Sequence, residues 1–268
     1  MSFLSRLLAS KAAPKRRIDR DVVQVELADG RCIDVLRVRD ARARRLRVAI
    51  DERGVRLTLP ARASAVSGDR FLHEHRDWIA MQLAQNVAYA IPALVAHVTP
   101  TLLLRGLDRP LQWSTARTSR FATGDVTLDA DIVVNAHAPA SPSSASLARA
   151  LRDFYETEAR SDINRWLPHY LGALPRPPAR TRFKIMASQW GSLAPDGAMA
   201  LDLSLVLARP SAFHYVLVHE LCHLIHADHS RRFWGEVEAR CPHWRDERAY
   251  LHSEGRRLKA TLRALVMA

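Results

Sequence analysis

The chain is short of cysteine, glycine, acidic residues and long apolar runs. Three cysteines stand among 268 residues, at Cys32, Cys222 and Cys241. They are scattered and form no CxxC pair, which excludes a disulfide framework and a cysteine zinc knuckle. A reducing, cytoplasmic setting is therefore expected. No run of 18 apolar residues occurs, so no membrane-spanning helix is expected. Hydrophobic residues nevertheless reach 48% and charged residues 25%, which excludes wholesale disorder.

Acids are outnumbered. Lys plus Arg total 40 against 28 Asp plus Glu, a net charge of +12. The excess is lopsided: residues 1–62 hold 16 Lys/Arg and 8 Asp/Glu, net +8. Such a front end admits a polyanion, nucleic acid or another, as a possible partner, although a solvated strand face explains the same arginines. Residues 1–20 are basic and are expected to form a flexible tail. Their composition also loosely fits a transit peptide, and the apolar run is too short for a secretory signal.

A single domain is expected over 21–262, with a β-rich part over 21–137 and a helical part over 147–262. Val22–Leu27 and Ile33–Val38 flank an Asp29-Gly30 hairpin signal. The Arg-rich stretch Arg42–Ile50 and Val55–Leu59 continue the alternation of a short meander. Residues 65–89 switch to helical period. Further strand signals lie at Leu102–Leu104, Leu111–Trp113 and Ile132–Val134. Ala138–Ser146 has the composition of a linker. Helical pattern then fills 147–171, followed by strands at 182–186 and 198–203 and helices at 211–227, 231–240 and 244–264.

The chemistry lies between His214 and Trp234. His219-Glu220-Leu221-Cys222-His223 is an HExxH pattern. On a helix, residues four apart sit about 40° from one another, one turn apart along the axis, so both imidazoles reach one metal. Glu220, about 100° round from His219, is placed to take a proton from water at that metal. Neutral imidazoles with an open coordination position suit catalytic Zn²⁺. The flanking Tyr215–Val218, Leu221, Leu224 and Ile225 mark a buried helix, in which polar groups need a partner. His229 is the expected third ligand, provided that the chain turns after about Ala227. His226 and Glu238 are the alternatives. Cys222, Cys241 and Cys32 read as core residues, as do Trp190, Phe233 and Trp234. Tyr215 reads as core or as an oxyanion donor.

Several segments in order resemble the YgjP-like metallopeptidase family, a relative of the SprT-like and WSS1-like proteases. They are Ser188-Gln189-Trp190-Gly191-Ser192, Leu201-Asp202-Leu203, Tyr215 to Leu224, Asp228-His229-Ser230 and Phe233-Trp234. An Arg-rich strand before Asp51–Gly54, Pro60, Phe71 and Trp78-Ile79 extend the resemblance over roughly 25–255. It implies an α+β fold with a zincin-like catalytic region carrying the HExxH helix. It also implies a zinc-dependent peptidase acting on peptide or protein substrates, with His219, His223 and His229 on zinc and Glu220 as the catalytic acid/base. The Trp190–Ser192 turn would then lie beside the active-site helix. The chain departs from the family pattern at Gln189, Leu193-Ala194 and Asp202, where the family usually carries Arg, Cys-Ser and Asn. Action on DNA-bound proteins, or a non-catalytic zinc-stabilised fold, are the rival readings.

Overall fold

In the computed structural model, residues 19–51, 54–87, 93–124 and 132–267 are described. The expected tail over 1–20 lies almost wholly outside them. The chain divides into two compact units, residues 1–90 and 91–268.

In the first unit, β1 (Asp19–Glu26), β2 (Cys32–Asp40), β3 (Arg47–Asp51) and β4 (Gly54–Pro60) form a sheet in the order β1-β2-β4-β3. Gly30 closes the β1-β2 hairpin at φ 80°, a conformation that favours glycine. Alternation sends Val35, Val55, Leu57 and Leu59 to one face, where Leu72 of α1 (Ala65–Glu74) and Ile79 of α2 (Arg76–Val87) complete the core. The helical stretch is thus broken in two at His75. Cys32 is exposed rather than buried, because Ile33 and Val35 take the inward positions of β2. The strand expected from Arg42 starts only at Arg47, after a turn.

The Arg-rich stretch is partly internal. Arg37 bonds Asp21 and Asp69, and the Arg39 guanidinium donates to the carbonyls of Ala61 and Ala63. Arg42, Arg44, Arg45 and Arg47 are exposed.

In the second unit, β5 (Thr101–Leu104), β6 (Leu107–Thr115), β7 (Arg120–Thr123) and β8 (Val134–Ala138) form a sheet in the order β5-β6-β8-β7. The Pro/Ser stretch after it connects β8 to the next helix without regular structure. Ser143 caps α3 (Ser144–Trp166), its hydroxyl accepting from the Ser146 amide. The short α4 (Pro168–Leu171) follows, and then β9 (Arg180–Lys184), β10 (Gly191–Leu193) and β11 (Ala198–Asp202) form a sheet in the order β10-β11-β9. A 3-10 turn at Leu203–Leu207 leads into α5 (Pro210–Cys222). The last helices are α6 (Arg231–Arg240) and α7 (Trp244–Val266). The architecture is α+β, as expected.

One continuous core holds the site in place. α5 is lined by Phe213, Val216, Leu217, Val218 and Leu221, all nearly inaccessible, and packs against α3, α6, α7 and β10. Arg105, at φ 52°, is buried and is held by the carboxylates of Asp162 and Glu158 on α3. A buried cation of this kind is tolerated only when paired.

Candidate metal centre

α5 ends earlier than its hydrophobic pattern suggested. It stops at Cys222, with His223 as its C-cap. The amides of His223, Leu224 and Ile225 bond back three residues, to the carbonyls of Glu220, Leu221 and Cys222. These tighter turns end the helix without a glycine. Asp228 accepts from the Ser230 amide, and the Ser230 hydroxyl accepts from the Phe233 amide, which starts α6. This reversal brings His229 back over the end of α5.

The result is a triad. One ring nitrogen from each of His219, His223 and His229 lies within 4.8 Å of the others. His229 Nε2 is 3.1 Å from His219 Nε2. His223 Nδ1 is 3.1 Å from the His226 carbonyl, to which it can only donate, leaving Nε2 of His223 as a free acceptor. His226 enters the site only through that carbonyl. Glu238 is engaged by Arg245 and is not part of the triad. His243 and His252 are exposed and outside it.

The imidazoles stand on an aromatic floor. Phe233 is fully buried, stacks on His223 with centroids 4.5 Å apart, and meets His219 and His229 at 4.9 Å. Trp234 flanks His219 and stacks on Trp244 at 4.4 Å. Burial, with the charges of His223, His229 and Arg248, pushes His219 down to about 4, and burial also lowers His223. Near neutral pH these two rings are neutral, which is the form a metal requires.

Glu220 is 5% exposed, and its Oε2 has no hydrogen-bond partner. Burial raises it to about 7. A buried acceptor without a donor is a cost unless something else answers it, and a cation held by the neighbouring histidines would do so. The donor set therefore fits a metal ion with nitrogen ligands. Glu220 also leans on β10: a Cβ at Gly191 would lie 2.5 Å from Glu220 Oε1 and 2.7 Å from its Cγ. Only glycine leaves that room. Tyr215 is buried one turn before His219, and burial pushes its hydroxyl up to about 12.

The model of the YgjP-like metallopeptidase domain matches residues 44–254. The chain belongs to the YgjP-like metallopeptidase family. The match spans both structural units. A metallopeptidase of this family needs a metal ion and cuts peptide or protein substrates. Among solved structures, the metallopeptidase zymogen abylysin of Pyrococcus abyssi is 22% identical, over 38% of this chain and 94% of its own, with a TM-score of 0.30. That likeness is too low to add to the family assignment. No curated protein matches.

Two features of this YgjP-like site escape the sequence motifs. β10 was expected as a turn, yet it pairs with β11 from Gly191↔Leu201 to Leu193↔Met199. Lys259 is buried on α7 beside Asp202. Its signal was a lysine within the apolar stripe Leu251, Gly255, Leu258 and Leu262.

Proposed function

We propose that the protein hydrolyses peptide bonds with a zinc ion held by His219, His223 and His229, and that Glu220 is the general base. The reading rests on one arrangement: three imidazole nitrogens converge, and the residue next to His219 in the chain, Glu220, carries a buried carboxylate oxygen that has no hydrogen-bond partner. When bound there, Zn²⁺ would supply Lewis acidity toward a carbonyl oxygen and lower the pKa of water. Glu220 takes the proton of the attacking water and returns it to the leaving amine. Gly191 keeps the Glu220 carboxylate where it is, and Phe233 holds the three rings in their mutual orientation.

An all-imidazole donor set, with His229 exposed to solvent, supports zinc as the ion. A reducing, cytoplasmic setting is supported by three unpaired cysteines, two of them buried. Polyanion binding has lost part of its support, since Arg37 and Arg39 are spent on internal contacts.

The test is turnover of a denatured protein substrate. Cleavage should stop with a chelator, return with Zn²⁺, and be absent in Glu220→Gln, which should still bind one zinc. A Glu220→Gln variant as active as wild type would refute the mechanism.

A further inference from the structure

The segment between β9 and β10 ends at Gly191, the residue against which Glu220 rests. Residues 185–190 carry no regular structure, so something else must fix them. Lys259, 9% exposed on α7, reaches into the segment from outside the HExxH helix. Its Nζ donates to the carbonyl of Gln189 at 2.7 Å, to that of Met186 at 3.2 Å and to Asp202 Oδ2 at 2.8 Å. It also lies 4.3 Å from the centre of the Trp190 ring.

Asp202 closes the arrangement from the other side. It is 1% exposed and accepts from the Met186 amide at 2.7 Å, while its own amide donates to the Trp190 carbonyl at 2.8 Å. Ser204 donates to its second oxygen. Trp190 lies on Gly255 of α7, where a Cβ would come within 2.8 Å of Cζ2. Three consecutive features of the chain, the Gln189 carbonyl, the Trp190 ring and the Gly191 backbone, are thus tied to Lys259, to α7 and to Glu220 in turn. Arg263, one turn beyond Lys259, adds a bond to the Met186 carbonyl.

We propose that Lys259 is a positioning residue for catalysis: it clamps the Met186–Trp190 segment so that Gly191 holds the Glu220 carboxylate in its working place. The role rests on Glu220 being the general base. Lys259 does not touch substrate, and it acts through Trp190 and Gly191. The ammonium serves because one group must satisfy two carbonyls and a carboxylate at once and still face an aromatic ring. A neutral chain of equal length can do none of these. Arginine retains the charge, the donors and the ring contact.

The test compares Lys259→Met, Lys259→Arg and the double variant Asp202→Asn/Lys259→Met in the zinc-loaded full chain. The double variant removes the clamp without leaving Asp202 as a lone buried charge, so it guards against simple misfolding. Lys259→Met and the double variant should lower kcat about tenfold or more, with KM changed less than about twofold and zinc content unchanged. Lys259→Arg should recover most of kcat. Amide hydrogen exchange over 186–193 should speed up in the first two and stay slow in the arginine variant. Unchanged exchange overturns the clamp. Faster exchange with unchanged kcat, while Glu220→Gln is inactive, overturns the positioning role. A wild type without zinc-dependent turnover overturns the peptidase reading itself, and the catalytic role of Lys259 falls with it, whereas exchange still decides the clamp.

Discussion

Replacing Glu220 by Gln should do two opposite things: abolish turnover and stabilise the metal-free protein at alkaline pH. In the absence of metal, burial moves the Glu220 carboxyl from its ordinary 4.5 to about 7. The folded state therefore holds a proton that the unfolded chain releases. With a raised folded pKa, the stability this group confers is fully present below 4.5 and is lost as pH climbs through about 7. The gap amounts to roughly 3 kcal/mol once both forms are ionised. Gln cannot ionise, so the variant should be more stable by about that amount at pH 8 and no more stable at pH 4.5. His219 titrates the other way. Its folded pKa of about 4 lies below the ordinary 6.5, so its contribution is present above 6.5 and is lost as pH falls through 4. Comparing the variant with wild type at each pH cancels that second titration. The assay is urea denaturation with chelator at both pH values, reading the midpoint at equal slope. A midpoint shift of the same size at both pH values, or a destabilisation at pH 8, would refute the argument that a desolvated carboxylate sits there without a partner. With zinc bound the gain should vanish, because a cation beside Glu220 favours its charged form.

Other substitutions probe the same geometry. Gly191→Ala puts a methyl group 2.5 Å from Glu220 Oε1, and should cut kcat by about a hundredfold while zinc stays bound, as metal analysis and steady-state kinetics would show. His229→Ala should weaken zinc binding by at least about a hundredfold in a competitive chelator titration, whereas His226→Ala, whose side chain is not in the triad, should leave it within a few fold. Phe233→Ala removes the buried floor beneath three imidazoles and should cost about 3–5 kcal/mol in denaturant unfolding, with weaker zinc binding as a second effect. Arg105→Ala strands the buried carboxylates of Asp162 and Glu158, and should cost about 3–5 kcal/mol without changing KM.

Much of the site was legible because helical geometry is local. Two histidines four apart on an apolar helix need no tertiary information to converge, and Ser230 marks the next helix start by its own side chain. The third member of the triad is less secure from sequence, since nothing local distinguishes His229 from His226 until the chain reversal is known. That reversal begins five residues earlier than the hydrophobic pattern indicates. Leu224 and Ile225 are apolar enough to continue a helix, but the chain closes three-residue turns there instead. Cys32 departs from the core position expected of it, because an isolated cysteine carries no strand register, whereas its pairing opposite Glu26 turns it outward. The Pro/Ser stretch before α3 has the composition of a linker, and its side chains also supply the helix cap.

By itself, the sequence determined the HExxH helix, the α+β class and the family, since these depend on short-range periodicity and on motifs in fixed order. The tertiary structure decided what surrounds Glu220. Gly191 comes from an edge strand about thirty residues upstream of the glutamate, and the lysine that holds its segment comes from a helix about forty residues downstream. Such contacts depend on how β10 and α7 pack around α5. No local pattern encodes that packing, because a side chain's neighbours across a core are set by the whole fold.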